Sequence, residues 1–390
     1  MRQRILIISA LLELYALLLA NLQALGGVRT DEAKYLLNIP YPHPPLLRWI
    51  IHSTEFIPFQ EMLWRVLLAS LLAQSVWFVW DMARDHHLPD RMLACGAWLL
   101  STGVLLQAGS IVLAPVTAVE ALVLLWLASR RDLLERFGGW IAVFWLTSLF
   151  TAYQAVLYTP LVWRLLRSKE RIACIIGVPI LLLALYALSN PISLASFLVH
   201  DPSGALLLSQ RAWDFARDWM LGGSLLISAV GTWGILRSRD RSLLAAFLLT
   251  TLYVLFARRE YNAVLFTPLF VAGVASLCAE RHHPHSFPLL ACFAAAAGIL
   301  TSLSPPSRVP GPARATMRAI ATKQKTGDLM IAGSFGHEWE FESAVPVRHY
   351  APHHLAEAQA VVCLSPCDPP LDSIEWKRLP TAPVEAWVRK

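Results

Sequence analysis

Charge is scarce in this chain. Asp, Glu, Lys and Arg make up 15% of its 390 residues, where a soluble domain carries about a quarter. That shortage excludes an ordinary water-soluble enzyme. Short alternating strands separated by turns are also lacking, which excludes a transmembrane β-barrel. Cysteine is rare, with six residues in all. Cys95, Cys174, Cys278 and Cys292 fall in apolar stretches and read as buried thiols. The tail after residue 303 has no zinc-ligand spacing, no P-loop and no dinucleotide fingerprint. Basic residues do outnumber acidic ones, by a net charge of +6. They sit in short stretches between apolar runs, so they set topology and do not mark a nucleic-acid surface.

What the chain does have is grease. It is 56% hydrophobic, with a mean hydropathy of +0.50. Fifteen Trp and sixteen Phe suit many helix ends at the headgroup level. Runs such as Leu67 to Trp80, Ile172 to Leu188 and Leu289 to Leu303 are too uniformly apolar for water. A span needs about 20 such residues. The pattern predicts spans over 5–25, 62–80, 92–109, 111–129, 171–189, 219–236, 241–257, 262–279 and 286–303. A broken short-helix pair over 138–165 brings the total to about 10 to 11. The first span begins with Arg2 and Arg4 like a signal peptide, but its length and the spans that follow favour a retained helix.

The broken pair is required by charge. Arg130, Arg131 and Arg136 precede it and Arg164, Arg167, Lys169 and Arg171 follow it, so both ends ask for one side. A turn near Ser148 to Thr151, buried among other helices, meets that demand, because non-helical backbone is not tolerated against lipid. With it, fifteen basic residues fall on one side and eight on the other. The richer side, with the N-terminus, is cytoplasmic by the positive-inside bias. The loop 26–61, the loop 190–218 and the tail then face outward. This is the layout of a multi-pass inner or plasma membrane protein.

The expected organisation is a transmembrane domain over 1–303, a stiff linker over 304–322 rich in proline, and a small extracytoplasmic α/β domain over 323–390. Asp328 to Gly333 and Ala360 to Leu364 read as its short buried strands. Cys363 and Cys367 lie on the oxidising side in this layout, where a disulfide between them is one reading and two free thiols the other.

Two polar clusters ask for an explanation. In the first outward loop, Thr30-Asp31-Glu32 is followed by Tyr41-Pro42-His43-Pro44-Pro45-Leu46. Two adjacent carboxylates in a loop are commonly a solvated turn or a helix cap, and Asp31 sits well to cap a helix starting near Glu32. Three prolines make the loop stiff, and a lipid-anchored substrate would present its head group here. A carboxylate in that place can take the proton of an attacking hydroxyl. Asp31 is the candidate base, Glu32 its partner or a metal contact. His43 either positions the next helix with its prolines or hydrogen-bonds to Asp31 or substrate. The second cluster is Arg258-Arg259-Glu260-Tyr261 between two spans. Snorkelling is the plain reading. A guanidinium fork that holds a phosphate is the functional one. Thr151, Tyr153, Gln154 and Tyr158 look structural, as groups that satisfy one another or the broken backbone bonds where the two half-helices meet; contact with substrate is the other reading of Gln154.

Three separated pieces also match one pattern. The Asp31-Glu32 loop with His43-Pro44-Pro45-Leu46 resembles the first outward loop of the polytopic GT-C fold glycosyltransferases. The protein O-mannosyltransferase-like and lipid A aminoarabinose transferase-like families are the nearest groups. Thr151-Ala152-Tyr153-Gln154-Ala155-Val156-Leu157-Tyr158-Thr159-Pro160 is similar to their short-helix segment. Arg259-Glu260-Tyr261-Asn262-Ala263-Val264-Leu265-Phe266-Thr267-Pro268 is similar to the start of a late span. The resemblance covers about 1–303. It implies an all-α polytopic fold and an inverting transfer of sugar from a polyprenyl-phosphate donor to an unidentified acceptor on the extracytoplasmic face. In it Asp31 resembles the catalytic aspartate, Glu32 the second acid of the pair, and Arg258 or Arg259 with Tyr261 the lipid-phosphate site. No cofactor is firmly implied. Some relatives use a divalent metal ion, for which Glu32 would be the contact, but the loop histidines form no metal cage. The chain departs from the pattern at Pro42, where relatives often have a polar residue, and at Glu260, which separates Arg259 from Tyr261. It is also short for the family.

Two other classes compete. A lipid-linked substrate transporter or flippase would bury charges within spans at broken helices, whereas the charges here are read as clustered at one surface. A non-catalytic membrane assembly partner would keep the fold and have no need of Asp31.

Overall fold

The computed structural model describes residues 2–39, 44–166, 168–188, 208–257, 260–280, 328–332, 338–343, 347–349, 355–363, 371–380 and 385–390. The chain divides into two compact units. The first comprises Met1–Asn21, Pro40–Ile50 and Glu61–Ser304. The second joins Leu22–Ile39 and Ile51–Gln60 to Pro305–Lys390.

The first half of the chain supplies α1 (Arg2–Leu25), α2 (Thr30–Leu36), α3 (Leu46–His52), α4 (Gln60–Gln74), α5 (Val76–Met82), α6 (Leu88–Leu99), α7 (Thr102–Gln107) and α8 (Leu113–Ser129). Then come α9 (Arg131–Thr151), a 3-10 segment (Tyr153–Tyr158), α10 (Thr159–Leu165) and α11 (Ser168–Leu188). They are followed by α12 (Leu208–Gly223), α13 (Leu225–Arg237), α14 (Arg241–Ala257), a second 3-10 segment (Glu260–Phe266) and α15 (Thr267–Glu280).

Among the described residues two helices are long and apolar enough to cross a membrane, Gln3–Leu25 and Gln60–Met82, or three if the bent pair Ala212–Gly223 and Leu225–Arg237 counts as one. That differs from the 10 to 11 uniform spans expected. The physical reason is interruption. The run expected over 92–109 comes as α6 and α7, parted at Ser101, whose hydroxyl accepts from the Val104 N–H at 3.3 Å. Leu113–Ser129 and Arg241–Leu255 are apolar but shorter than a full crossing. The stretch 286–303 lies outside the described residues.

The first unit wears its apolar side chains outward and hides its polar ones. Leu6, Leu11, Leu14 and Leu18 of α1 are exposed, while Ala16 and Ala20 are buried. A helix that shows leucine outward is dressed for lipid. Glu13 in the middle of α1 accepts from the Ser70 hydroxyl at 2.6 Å and from Gln74 Nε2 at 2.7 Å. These are polar ties between helices where hydrophobicity drives nothing. Glycine sets the closest crossing, between α13 and α15. A methyl placed on Gly234 would lie 1.9 Å from the Gly273 carbonyl oxygen, and one on Gly273 would lie 2.0 Å from that of Gly231. Between α12 and α13 the chain bends by 91° at Ser224, whose φ of 83° is rare for a residue with a Cβ.

The break expected near Ser148 to Thr151 is present. α9 ends at Thr151 and Ala152 is extended, with φ −152° and ψ 132°. The chain then tightens into the first 3-10 segment before α10 begins, with Pro160 in its first turn. Proline suits that place because a helix's first N–H groups have no intrahelical acceptor.

The second unit is built on a five-stranded sheet in the order β2-β1-β3-β5-β4. Its strands are β1 (Asp328–Ala332), β2 (Val347–His349), β3 (Ala358–Cys363), β4 (Trp376–Leu379) and β5 (Glu385–Arg389). β1 runs parallel to β2 and β3, and β5 runs antiparallel to β3 and β4. The helix α16 (Glu338–Ser343) crosses from β1 to β2. β3 is nearly all apolar because both its faces are covered. On one side Leu329, Trp339, Val347, Ala360, Val362 and Ala386 pack together. On the other, Met330, Ala358, Val361, Cys363, Leu371 and Trp376 do so. Cys363 is disulfide-bonded, and Cys367 lies outside the described residues. Within this unit α2, the acidic helix, packs against α16.

Candidate functional site

α2 starts two residues earlier than expected and its cap is built differently. Arg29, not Asp31, occupies the N-cap position. The Glu32 carboxylate reaches back to accept the Arg29 N–H at 2.8 Å, the return half of a capping box. Glu32 is fully buried. Asp31 is not spent in this way. Its Oδ1 lies 3.2 Å from Lys34 Nζ, one turn on, and its side chain is 26% exposed. The two neighbouring acids therefore differ in availability: Glu32 holds the helix start and Asp31 meets the outside.

His43 lies outside the described residues, as do Arg258 and Arg259. Pro44 and Pro45 are buried, and Pro45 gives its carbonyl to the Trp49 N–H at 2.9 Å. Trp49 meets Phe150 edge-on, with ring centroids 6.1 Å apart. The start of α3 is thereby anchored beside the end of α9. His52 pairs with Glu55 at 2.8 Å on an exposed surface. Tyr261 sits in the second 3-10 segment. Asp31 and Glu32 belong to one compact unit and Tyr261 to the other.

Among the described residues no three of His, Cys, Asp and Glu come together as a metal site would require. The buried Glu32 carboxylate, engaged with a backbone N–H, does not offer the open donor set that a divalent ion needs.

The break near Thr151 is where polar groups gather. Tyr158 donates its hydroxyl to the Leu265 carbonyl at 2.9 Å, so the first 3-10 segment is tied to the second. Gln154 Nε2 donates to the Tyr253 hydroxyl at 3.1 Å, and Asn262 bonds to the same hydroxyl. Rather than satisfying one another at the break, as expected, Gln154 and Tyr158 find their partners about 100 positions away in the chain.

Sequence reasoning passed over two charged residues. Arg65 is fully buried. Its Nε lies 3.0 Å from Glu61 and its Nη1 donates to the Gly109 carbonyl at 3.0 Å. Gly109 has φ +79°, and a Cβ there would press on Ala20 and on the Arg65 backbone at 3.2 Å. The available signal was Glu61 four residues before Arg65 on an otherwise apolar helix. Glu120 stands alone in the apolar α8, and its carboxyl meets Ser148 and Thr151 at the end of α9. Its place, with that of Glu13, overturns the expectation that charge gathers at one surface.

No protein-family model matches the chain, and no curated protein matches it in sequence. Solved structures do match in shape. Superposition on ArnT from Cupriavidus metallidurans in the apo state gives a TM-score of 0.67 over 99% of this chain and 98% of that one, at 13% identity. The fold is that of the GT-C glycosyltransferases. ArnT from the same organism bound to undecaprenyl phosphate gives 0.64, with the same identity and coverage. The mycobacterial arabinofuranosyltransferase AftD gives 0.53 at 14% identity, all of this chain matching 40% of that one. At such identities the GT-C likeness is one of architecture, a helical membrane part with a C-terminal domain.

Proposed function

We propose that this protein is an inverting glycosyltransferase that moves a sugar from a polyprenyl-phosphate donor to an acceptor on the extracytoplasmic face. The observation that carries the reading is the division of labour in the acidic pair. Glu32 is consumed by the helix cap, and Asp31 stands partly open beside Lys34, in a chain whose shape follows, over nearly its whole length, a protein that binds undecaprenyl phosphate.

The donor's lipid stays in the bilayer. An acceptor hydroxyl attacks the anomeric carbon from the face opposite the phosphate, and the carbon–oxygen bond to phosphate breaks with inversion. Asp31 takes the hydroxyl proton. The polyprenyl phosphate departs with the electron pair, and Arg259 or Arg258, with Tyr261 beside it, balances the charge. A fixed cation at a departing phosphate is an effective way to lower such a barrier. Residues 1–303 form the transmembrane domain with its outward loop 26–61, residues 304–322 the linker, and residues 323–390 the extracytoplasmic domain. The N-terminus is cytoplasmic.

The test is incubation of the purified protein in lipid nanodiscs with a panel of undecaprenyl-phosphate sugars and candidate acceptors. Asp31→Asn is expected to lower transfer by about 10²–10⁴-fold, the range of a lost general base, with donor binding retained. An Asp31→Asn protein that transfers sugar at the wild-type rate would remove Asp31 from the mechanism.

One observation favours a second reading, a flippase for lipid-linked substrates. Glu120 lies within an apolar helix beside the broken one, a placement typical of translocation pathways. Proteoliposomes that flip a fluorescent polyprenyl-phosphate sugar without consuming it would favour that activity.

A further inference from the structure

The two 3-10 segments are copies of one another. Tyr153-Gln154-Ala155-Val156-Leu157-Tyr158-Thr159-Pro160-Leu161 and Tyr261-Asn262-Ala263-Val264-Leu265-Phe266-Thr267-Pro268-Leu269 differ only by Gln for Asn and Tyr for Phe. Each is a 3-10 segment that passes directly into an α-helix starting at the threonine. The second position of each copy carries a carboxamide. Both carboxamides converge on one hydroxyl, that of Tyr253 on α14.

Their burial makes the pair unusual. Gln154 is 6% exposed and Asn262 1%. Each side chain donates an N–H to Tyr253, and the carbonyl oxygens, Gln154 Oε1 and Asn262 Oδ1, have no hydrogen-bond partner. α8 packs on both 3-10 segments, and the Oε2 of its Glu120 is a third buried oxygen without one. Buried acceptors are nearly always satisfied, and leaving one empty costs its full desolvation. Three on the same small group of elements ask for a guest that brings donors to them.

We infer that the Gln154–Tyr253–Asn262 cluster is the sugar subsite of the donor, where the two carboxamide oxygens accept from sugar hydroxyl or amino groups. This rests on the glycosyltransferase reading and deepens it. Asn262 follows directly on Tyr261, the candidate neighbour of the lipid phosphate, and in a polyprenyl-phosphate sugar the sugar is the group next to that phosphate. The two open carboxamide oxygens suit a polyol, since every hydroxyl carries a proton to give. A bare phosphate has no such donors, so the cluster distinguishes a sugar-bearing lipid from the spent one.

The experiment measures binding of undecaprenyl phosphate, and of the same lipid carrying a neutral hexose, a neutral pentose or an amino-pentose. The full-length protein is used in nanodiscs, as wild type and as Gln154→Met, Asn262→Leu and Tyr253→Phe. The sugar lipid that wild type binds is expected to lose about tenfold in affinity with Gln154→Met or Asn262→Leu, one hydrogen bond's worth. It is expected to lose about threefold with Tyr253→Phe, which frees both carboxamides. Undecaprenyl phosphate without sugar should bind all four proteins within about twofold. If every lipid weakens alike, or none does while the melting temperature changes, the cluster is only a structural knot or a water site and the inference falls while the lipid reading stands. If wild type binds none of the lipids, the donor reading itself falls and takes the inference with it. Should Asn262→Leu fail to fold, Gln154→Met reads the same quantity from the other copy.

Discussion

The helical unit and the sheet unit solve the same packing problem with opposite materials. In the sheet unit a large aromatic, Trp339, fills the core among Leu329, Val347, Ala360 and Val362, and hydrophobic burial from water supplies the stability. In the helical unit the outer surface is already apolar, so burying leucine gains little. There the tight places are made by glycine at the crossing of α13 and α15, and the specific places by Glu13, Arg65 and Tyr158. The lesson is that a side chain's worth depends on what it would otherwise face.

Substitutions sharpen that contrast. The largest effect expected is from Gly234→Val in the helical unit. Its Cβ has no room against the backbone of Gly273, backbone cannot give way as a side chain does, and a loss of more than about 4 kcal/mol follows. Loss of a monodisperse peak in detergent would check it. Next comes Trp339→Ala, expected to cost the sheet unit about 3–5 kcal/mol, read as a lower thermal midpoint of the sheet with the helical signal retained. If instead the helical unit melts with it, the two do not behave as separate materials. Arg65→Ala should cost about 3–5 kcal/mol by stranding its buried partners, and Arg65→Met distinctly less; thermal unfolding in nanodiscs separates them. The smallest effect has the opposite sign. Ser224→Gly, at φ 83°, should raise stability by about 1 kcal/mol, seen as a higher melting temperature. No change there would mean the corner is not strained.

Texture and punctuation were readable in the chain, and tertiary partners were not. The scarcity of charge announced a membrane protein, and basic residues on both sides of 138–165 demanded a break that stands at Ala152. Asp328 and Ala358 do open strands close to the apolar runs that suggested them. The helix around Asp31 was expected too, yet its cap was assigned to the wrong acid. Asp and Glu can both close a helix start, and only three-dimensional reach selects Glu32. Span lengths were overestimated because hydropathy is blind to a kink at Ser101 or a corner at Ser224. Glu120 escaped notice because a lone charge in an apolar run has no sequence partner to announce it, and Arg65 because its i,i+4 pairing with Glu61 was passed over. The matching oxygens of Gln154 and Asn262 become visible only when two stretches more than 100 positions apart are folded onto Tyr253.

The docking of the acidic helix on α16 has a practical corollary. The appendage beyond residue 304 looks expendable on paper, yet the short helix bearing Asp31 leans on it rather than standing alone. A protease nick, a wedged nanobody or a reductant reaching Cys363 would therefore disturb the helix that carries Asp31 from behind.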